Sequence, residues 1–539
     1  MLSEHIFSDR TYCFLAGAGV SFDSPSNLPL ARDMVYKIVE VLSIEESLKV
    51  DIKGQFDRGN LRFEQFMELI SEIFDRDLQV LNHLSKCDSP NLLHNLLAEI
   101  ANNDHHIFTT NFDCLIETAC TQKRIPVQTV FSNEQKCRTN TKIVWKLHGS
   151  LQDEQGLDTR KSIVATITRL GQKGESFSND PFLKEIFFDR IQHQDLIILG
   201  YSGSDDYDIV PMISQIKSRH KIFWVFHDTQ ISPFKVFDFA TFKKERKIIP
   251  DAIYKILSQG NWKEEQLYII VGRTSEVLSA IHNILIKNSG SDHYEIEYKI
   301  PSHYYLHWSF KHALEEWRNL SFAGKYFLLA GNYGEAQSYF QLALSQSEET
   351  KELSPKIYVL FCLSRTCIKD NRPKEALAYL ETIYSILNGG QKSRYFQLEQ
   401  KILKSVGRDM VEYEQQLAIC HSELGNFESA LAILHKAECQ KDTIEYARGL
   451  YEEARVMRKM GNFPKALSLV EESVGIHRKY GNLESLSICL PFLLDLLIEK
   501  KDFSEVKERI PELIGICKIT NNEKLMSECR QLSEQIKSY

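Results

Sequence analysis

The chain has twelve cysteines in 539 residues, yet no two stand at the CxxC spacing that supplies a zinc corner or a redox pair. A structural metal is therefore not expected. It also lacks an apolar run of the roughly 18 residues that a membrane span needs. The nearest, Leu486 to Ile498, is broken by Pro491 and Asp495 and reads as a buried helix pair. Excess positive charge is missing too. With 65 Lys and Arg against 73 Asp and Glu, the formal net charge is −8 and the pI is 6.1. No global field draws nucleic acid or an anionic membrane, and the local run Lys243-Lys244-Glu245-Arg246-Lys247 reads as a solvated loop. The N-terminus carries no secretory segment, so the thiols are expected to stay reduced and the chain to be cytoplasmic.

What is present is the composition of a globular protein, 43% hydrophobic and 26% charged. At about 100–200 residues per domain the length implies two to four domains. The chain falls into two halves with different patterning. In the first, short β-rich runs alternate with helical stretches: Tyr12 to Leu15, Ile107 to Thr109, Ile143 to Leu147, Leu196 to Leu199, Lys221 to Phe226 and Leu267 to Val271. Amphipathic segments at Arg62 to Phe74 and Leu92 to Ile100 lie between them. This alternation predicts an α/β, Rossmann-like parallel sheet with helices on both faces.

The second half is helical throughout, and it repeats. Gly331-Asn332-Tyr333 with Ala336 recurs as Gly425-Asn426-Phe427 with Ala430 and Gly461-Asn462-Phe463 with Ala466. Weaker copies run from Asp370 to Ala376 and from Asp502 to Val506, giving steps of 40, 54, 36 and 40 residues. The pattern predicts a helix, a tight turn in which Gly or Asn takes a left-handed backbone, and a second helix whose alanine permits close approach. Such units stack into an all-α solenoid. The most linker-like stretch is Asn288 to Asp292, so the expected domains are residues 1–290 and 291–539.

In an open parallel sheet, ligands bind beyond the carboxyl ends of the strands. The first strand runs into Gly17-Ala18-Gly19-Val20-Ser21, an arrangement that sets backbone amides against a phosphate. A full GxGxxG is absent, and a Gly pair at a strand end is also an ordinary turn. Later strands lead to Thr110-Asn111-Phe112-Asp113, to His148-Gly149-Ser150, to Gly200-Tyr201-Ser202-Gly203-Ser204-Asp205, and to Gly272-Arg273-Thr274-Ser275. Taken singly, each has a plain reading: Asn111 or Asp113 as a helix cap, His148 as a structural histidine, Gly200 to Ser204 as a loop. Together at one sheet edge they form a polar crevice.

In order and spacing, these motifs resemble the sirtuin, or SIR2-like, superfamily over roughly the first 290 residues, and the repeats resemble tetratricopeptide repeats. The combination is similar to SIR2-like effectors of bacterial anti-phage defence. The resemblance implies NAD+ as ligand. It implies that Gly17, Ala18, Gly19 and Ser21 cradle the pyrophosphate, and that Asn111 and Asp113 lie near the nicotinamide ribose and carboxamide. The active-site histidine maps to His148. Ser202 and Asp205 map to the adenosine side, and Gly272 and Ser275 to the adenine end.

Departures from the family bear on the chemistry. The deacylases' four-cysteine zinc module is missing. Where they carry an Ile-Pro-Asp-Phe-Arg-like segment, this chain has Leu28-Pro29-Leu30-Ala31-Arg32, which keeps Arg32 but replaces the acidic and aromatic positions. That change favours water as acceptor. The expected function is an NAD+ glycohydrolase that depletes cellular NAD+ during infection, with a protein trigger or partner on the repeats, homo-oligomerisation and an inactive resting form. The alternatives are an NAD-dependent deacylase or ADP-ribosyltransferase, and a non-catalytic nucleotide-binding scaffold.

Overall fold

The computed structural model describes residues 2–132, 135–163, 165, 181–203, 209, 213, 220–244, 266–286, 304–348, 353–388, 410–436, 441–479, 482–519 and 523–536. The linker-like stretch Asn288 to Asp292, Asp205, and Glu245 to Lys247 lie outside the described residues. The chain divides into two compact units: Met1–Val41 with Ile52–Glu68 and Asp77–Trp308, and Leu42–Asp51 with Leu69–Arg76 and Ser309–Tyr539.

The first unit is built on one eight-stranded sheet. Its strands are β1 (Tyr12–Ala16), β2 (His106–Thr109), β3 (Val127–Val130), β4 (Lys142–Lys146), β5 (Asp195–Leu199), β6 (Ile222–His227), β7 (Lys235–Asp238) and β8 (Leu267–Gly272). Their order is β3-β4-β2-β1-β5-β6-β8-β7, parallel except for the edge strand β7, which runs antiparallel to β8. The sheet is therefore mixed, with a parallel body. Two strands beyond the expected six, β3 and β7, complete its edges.

Beside the strands run the helices α1 (Ala31–Val41), α2 (Glu46–Asp57), α3 (Phe63–Ile73), α4 (Leu92–Asn102), α5 (Leu115–Gln122), α6 (Pro181–His193), α7 (Phe239–Lys244) and α8 (Thr274–Leu285), of which α4, α5, α6 and α8 cover the faces of the sheet. Strand β1 shows why. Tyr12, Phe14 and Ala16 point into one core with Leu93, Leu97, Ile116 and Leu278. Cys13 and Leu15 point into a second core with Leu183, Phe187 and Ile191. Alternate residues thus bury against α4, α5 and α8 on one face and against α6 on the other. A strand buried on both faces must be apolar throughout, as β1 is.

After α9 (Tyr304–His312), whose residues up to Trp308 belong to the first unit, helices α10 (Glu316–Leu329), α11 (Tyr333–Glu348), α12 (Leu353–Lys369), α13 (Pro373–Asn388), α14 (Met410–Glu423), α15 (Phe427–Lys436), α16 (Ile444–Lys459), α17 (Phe463–Lys479), α18 (Leu483–Glu499), α19 (Phe503–Ile519) and α20 (Glu523–Ile536) follow in the second unit. Five hairpins close by the same turn. Gly331, Asn371, Gly425, Gly461 and Lys501 all have left-handed φ, between +56° and +81°. The next amide in each case reaches back five residues: Asn332 to Phe327, Arg372 to Cys367, Asn426 to His421, Asn462 to Met457 and Asp502 to Leu497, at 2.8–2.9 Å. That is a helix C-cap satisfying carbonyls that have no intrahelical partner. Ala336, Ala376, Ala430, Ala466 and Val506 are all fully buried. These units form a helical-repeat solenoid of tetratricopeptide type.

One expectation is corrected here. Leu486 to Ile498 is not a helix pair but part of the single helix α18, with Pro491 inside it. Burial of Leu490, Leu493, Leu494 and Leu497 around the proline holds the helix together despite the lost backbone donor.

Candidate functional site

The site lies where the strand order reverses, at the carboxyl ends of β1, β2, β4 and β5, because β1 is flanked by β2 on one side and β5 on the other. There the loops after β1 and β5 interlock through glycine. A Cβ on Gly17 would stand 2.6 Å from Gly200 O, and one on Gly19 would stand 2.8 Å from Gly200 Cα. Gly200 itself has φ +58°, and its Cβ would meet Val20 N at 2.5 Å. The Gly17 amide donates to Leu199 O at 2.9 Å, and the Gly19 amide to Gly200 O at 2.8 Å. These two amides bind the β5 loop, so in this state they hold the loop's shape. Ala18 between them is exposed.

The loop delivers Ser21, fully buried, to the centre of a polar cluster. Its hydroxyl donates to Asp113 Oδ2 at 2.9 Å and accepts from Asn111 Nδ2 at 3.2 Å. His94 Nε2 stands 3.1 Å from the same oxygen. The Asn91 amide donates to His94 Nδ1 at 3.1 Å, which leaves the proton of the neutral ring on Nε2, facing Ser21. Burial pushes the His94 ring down to about 4; the neighbouring Asp113 opposes this shift. Asn91 also clamps the loop, donating to Val20 O at 2.8 Å and Asp23 O at 3.2 Å while capping α4.

Asn111 and Asp113 reach Ser21 from the turn after β2. The Asn111 amide is anchored on Thr109 Oγ1 at 3.0 Å, and Asp113 Oδ1 accepts from the Leu115 amide at 3.1 Å. Asp113 therefore both holds the first amide of α5, one residue ahead of its N-cap Cys114, and joins the cluster. Asn111 is 7% exposed, and its Oδ1 is buried without a hydrogen-bond partner. A buried acceptor left unpaired carries a free-energy cost, so it fits a ligand or water that donates to it.

His148 follows β4, the strand beyond β2, and is buried at 9% exposure. Gly149 after it has φ +81°, and a Cβ there would lie 2.1 Å from Ser162 O. The Ser150 amide donates to Ser162 Oγ at 2.9 Å, fixing this turn. Ser202 is exposed beside Gly200. Gly272 ends β8 and the half-buried Ser275 follows it, three strand positions from β1, or about 14 Å at the usual strand spacing. Arg32 is turned to the surface of α1, where its Nε pairs with Asp57 at 2.8 Å. The structure thus joins Ser21, Asn111 and Asp113 directly, sets Gly17 and Gly19 in the loop that carries Ser21, and holds Arg32 in a separate contact.

Four participants were missed from sequence. Asn91 and His94 stand at the spacing of a helix capping box, a signal that was readable. Lys146 and Glu117 form a buried ion pair at 3.2 Å with side chains 1% and 2% exposed, and no periodicity announces it. Although burial opposes its charge, Glu117 holds the Lys146 ammonium above its ordinary value.

In parallel α/β sheets a glycine-lined switch point of this kind is the usual place for a ligand. Residues 105–249 match the SIR2-like domain family, so this segment carries a SIR2-like domain. The match spans β2 to β7; β1, Ser21 and His94 join it through the sheet and the cluster. No curated protein matches the chain. Among solved structures it is similar to a Rap protein complexed with Competence and Sporulation Factor, at 14% identity and TM-score 0.35, covering 41% of this chain and 65% of that one. The chain thus spans under two thirds of that protein. It is also similar to aspartyl phosphate phosphatase F from Bacillus subtilis, at 16% identity and TM-score 0.33, covering 54% and 76%. A third is a kinesin light chain of Podosopora anserina with TPR-like repeats, at 17% identity and TM-score 0.28, covering 38% and 96%.

Proposed function

We propose that the chain is an NAD+ glycohydrolase, cleaving NAD+ with water to nicotinamide and ADP-ribose. The observation that carries this reading is the unpartnered, buried Asn111 Oδ1 beside Ser21 and Asp113 in a SIR2-like domain. The nicotinamide of NAD+ is already cationic and leaves without a proton, while positive charge develops on the ribose carbon. The work of the site is therefore to hold the ribose, stabilise that charge and direct water.

Asn111 Oδ1 accepts from a ribose hydroxyl or from the attacking water. The Asp113 side chain stabilises the developing cation, and His148 anchors the ribose or takes the proton from water. Gly17, Ala18, Gly19 and Ser21 form the pyrophosphate wall, with Arg32, Ser202, Asp205, Gly272 and Ser275 assigned to the rest of the dinucleotide. Leu30 and Ala31, in place of an acidic and an aromatic residue, support water over an acyl-lysine as acceptor. Residues 1–290 are the catalytic part. Residues 291–539, the solenoid, sense a protein trigger or drive homo-oligomerisation in a cytoplasmic anti-phage response.

The test is incubation of the purified full chain with NAD+, alone and with candidate phage proteins, for wild type, Asn111→Ala and His148→Ala. Release of nicotinamide and ADP-ribose in equal amounts by wild type, lost in both variants, is the expected result. An intact NAD+ pool under every condition overturns the reading. Release that requires an acyl-lysine peptide replaces it with the deacylase.

A further inference from the structure

The turn that carries Asn111 and Asp113 has no ladder or helix to satisfy its carbonyls, and all three of them are nevertheless held from the end of β4. Lys146 Nζ donates to Asn111 O at 3.4 Å and, at short range, to Asp113 O. Between them, Phe112 O accepts from the Leu151 amide at 3.1 Å. The third direction of the ammonium goes to Glu117 at 3.2 Å. Three donors thus meet three acceptors, in a place where neither side chain reaches water.

We infer that Lys146, with Glu117 as its counter-ion, is a positioning residue that fixes the orientation of Asn111 and Asp113 toward the reacting ribose. This inference rests on the NAD+ reading above. A buried ion pair is a poor device for stability alone, since apolar residues of similar volume are often neutral or stabilising in its place. Here the pair does something an apolar pair cannot. It ties the carbonyls of Asn111 and Asp113, two positions apart, to a single point charge, and so sets the backbone from which both site side chains project. Lys146 lies opposite Thr109 in the β2–β4 register. Thr109 Oγ1 in turn receives the Asn111 amide, so β2 and β4 grip the turn from both sides.

The test replaces both charges in the full chain, Lys146→Met with Glu117→Leu, so that no lone buried charge remains. Should that pair fail to fold, Lys146→Gln with Glu117→Gln takes its place. Three readings are taken: melting temperature, steady-state NAD+ cleavage, and peptide-level amide hydrogen exchange over residues 109–116. We expect near wild-type melting, a fall in kcat of about 10- to 100-fold with little change in KM, and clearly faster exchange over the turn. Unchanged exchange overturns the positioning role whatever the turnover. Faster exchange with wild-type kcat overturns its part in the chemistry. A wild-type chain that never cleaves NAD+ counts instead against the function proposed above, and the exchange reading still decides the turn.

Discussion

Ser21 and Asp113 lie 92 positions apart in the chain, and the Ser21 hydroxyl donates directly to Asp113 Oδ2 across 2.9 Å. That bond helps join the loop after β1 to the turn after β2. Ser21 also receives Asn111 Nδ2 and faces His94 Nε2, so its oxygen uses one donor and two acceptor positions. Ser21→Ala leaves three buried polar groups short of a partner. We expect a loss of about 2–4 kcal/mol in chemical denaturation, with NAD+ cleavage reduced at least as strongly as in Asn111→Ala. A variant within a few tenths of a kcal/mol of wild type would show that the cluster is not held by this hydroxyl.

The glycines divide by what surrounds them. Gly200 combines left-handed φ with Val20 N only 2.5 Å from where a Cβ would stand, whereas Gly425, φ +81°, has nothing within 4 Å. Gly425→Ala bears only the conformational penalty, about 1 kcal/mol. Gly200→Ala adds a backbone clash that neither loop can relieve without parting, and about 3 kcal/mol or more is expected. Urea titration of both variants checks the order. Equal penalties would mean the β1 and β5 loops separate easily.

Much of this arrangement was legible beforehand, and the omissions have physical reasons. Strands β1, β2, β4, β5, β6 and β8 are apolar runs, since a central parallel strand is buried on both faces. β3 carries no such signal because Gln128 and Thr129 interrupt its four residues, and β7 none because Lys235 and Asp238 bracket it at the sheet edge. Ser21, Asn111 and Asp113 sit in motifs directly after strands, where a reader looks for ligands. His94 sits on a helix among leucines and Lys146 inside a strand, where a polar residue carries no signal until its partners are known. In the repeats the aromatic was the more visible marker, yet Phe463 is 46% exposed while Ala466 is fully buried.

That contrast gives a prediction for the solenoid. Ala466 packs in a core with Ala447, Leu450, Val470 and Leu490. Ala466→Leu forces extra methylenes into this contact and is expected to lower stability by about 1–3 kcal/mol. Phe463→Ala, at a half-open position, is expected to lose less. Circular dichroism melts of the two variants rank them, and a larger loss at Phe463 would place the packing weight on the aromatic.

The last prediction concerns acid. Burial holds His94 at about 4, against an ordinary value near 6.5, so the folded chain keeps this ring neutral while the unfolded chain protonates it. Because the folded value is the lower one, the stabilisation is fully present above pH 6.5. It is lost as pH falls toward 4, where the folded state also takes the proton. Protonation places a hydrogen on Nδ1, which then cannot accept the Asn91 amide, and the clamp from Asn91 to Val20 and Asp23 loosens with it. Over this window the chain should lose on the order of 3 kcal/mol from His94. His83, also buried and pushed down to about 4, adds to the trend. His94→Gln offers an acceptor and a donor without a titrating ring, so its stability should fall less between pH 6.5 and 4 than that of wild type. Urea midpoints at pH 7, 6, 5 and 4 make the comparison; parallel curves for the two chains would remove His94 as the source of the acid sensitivity.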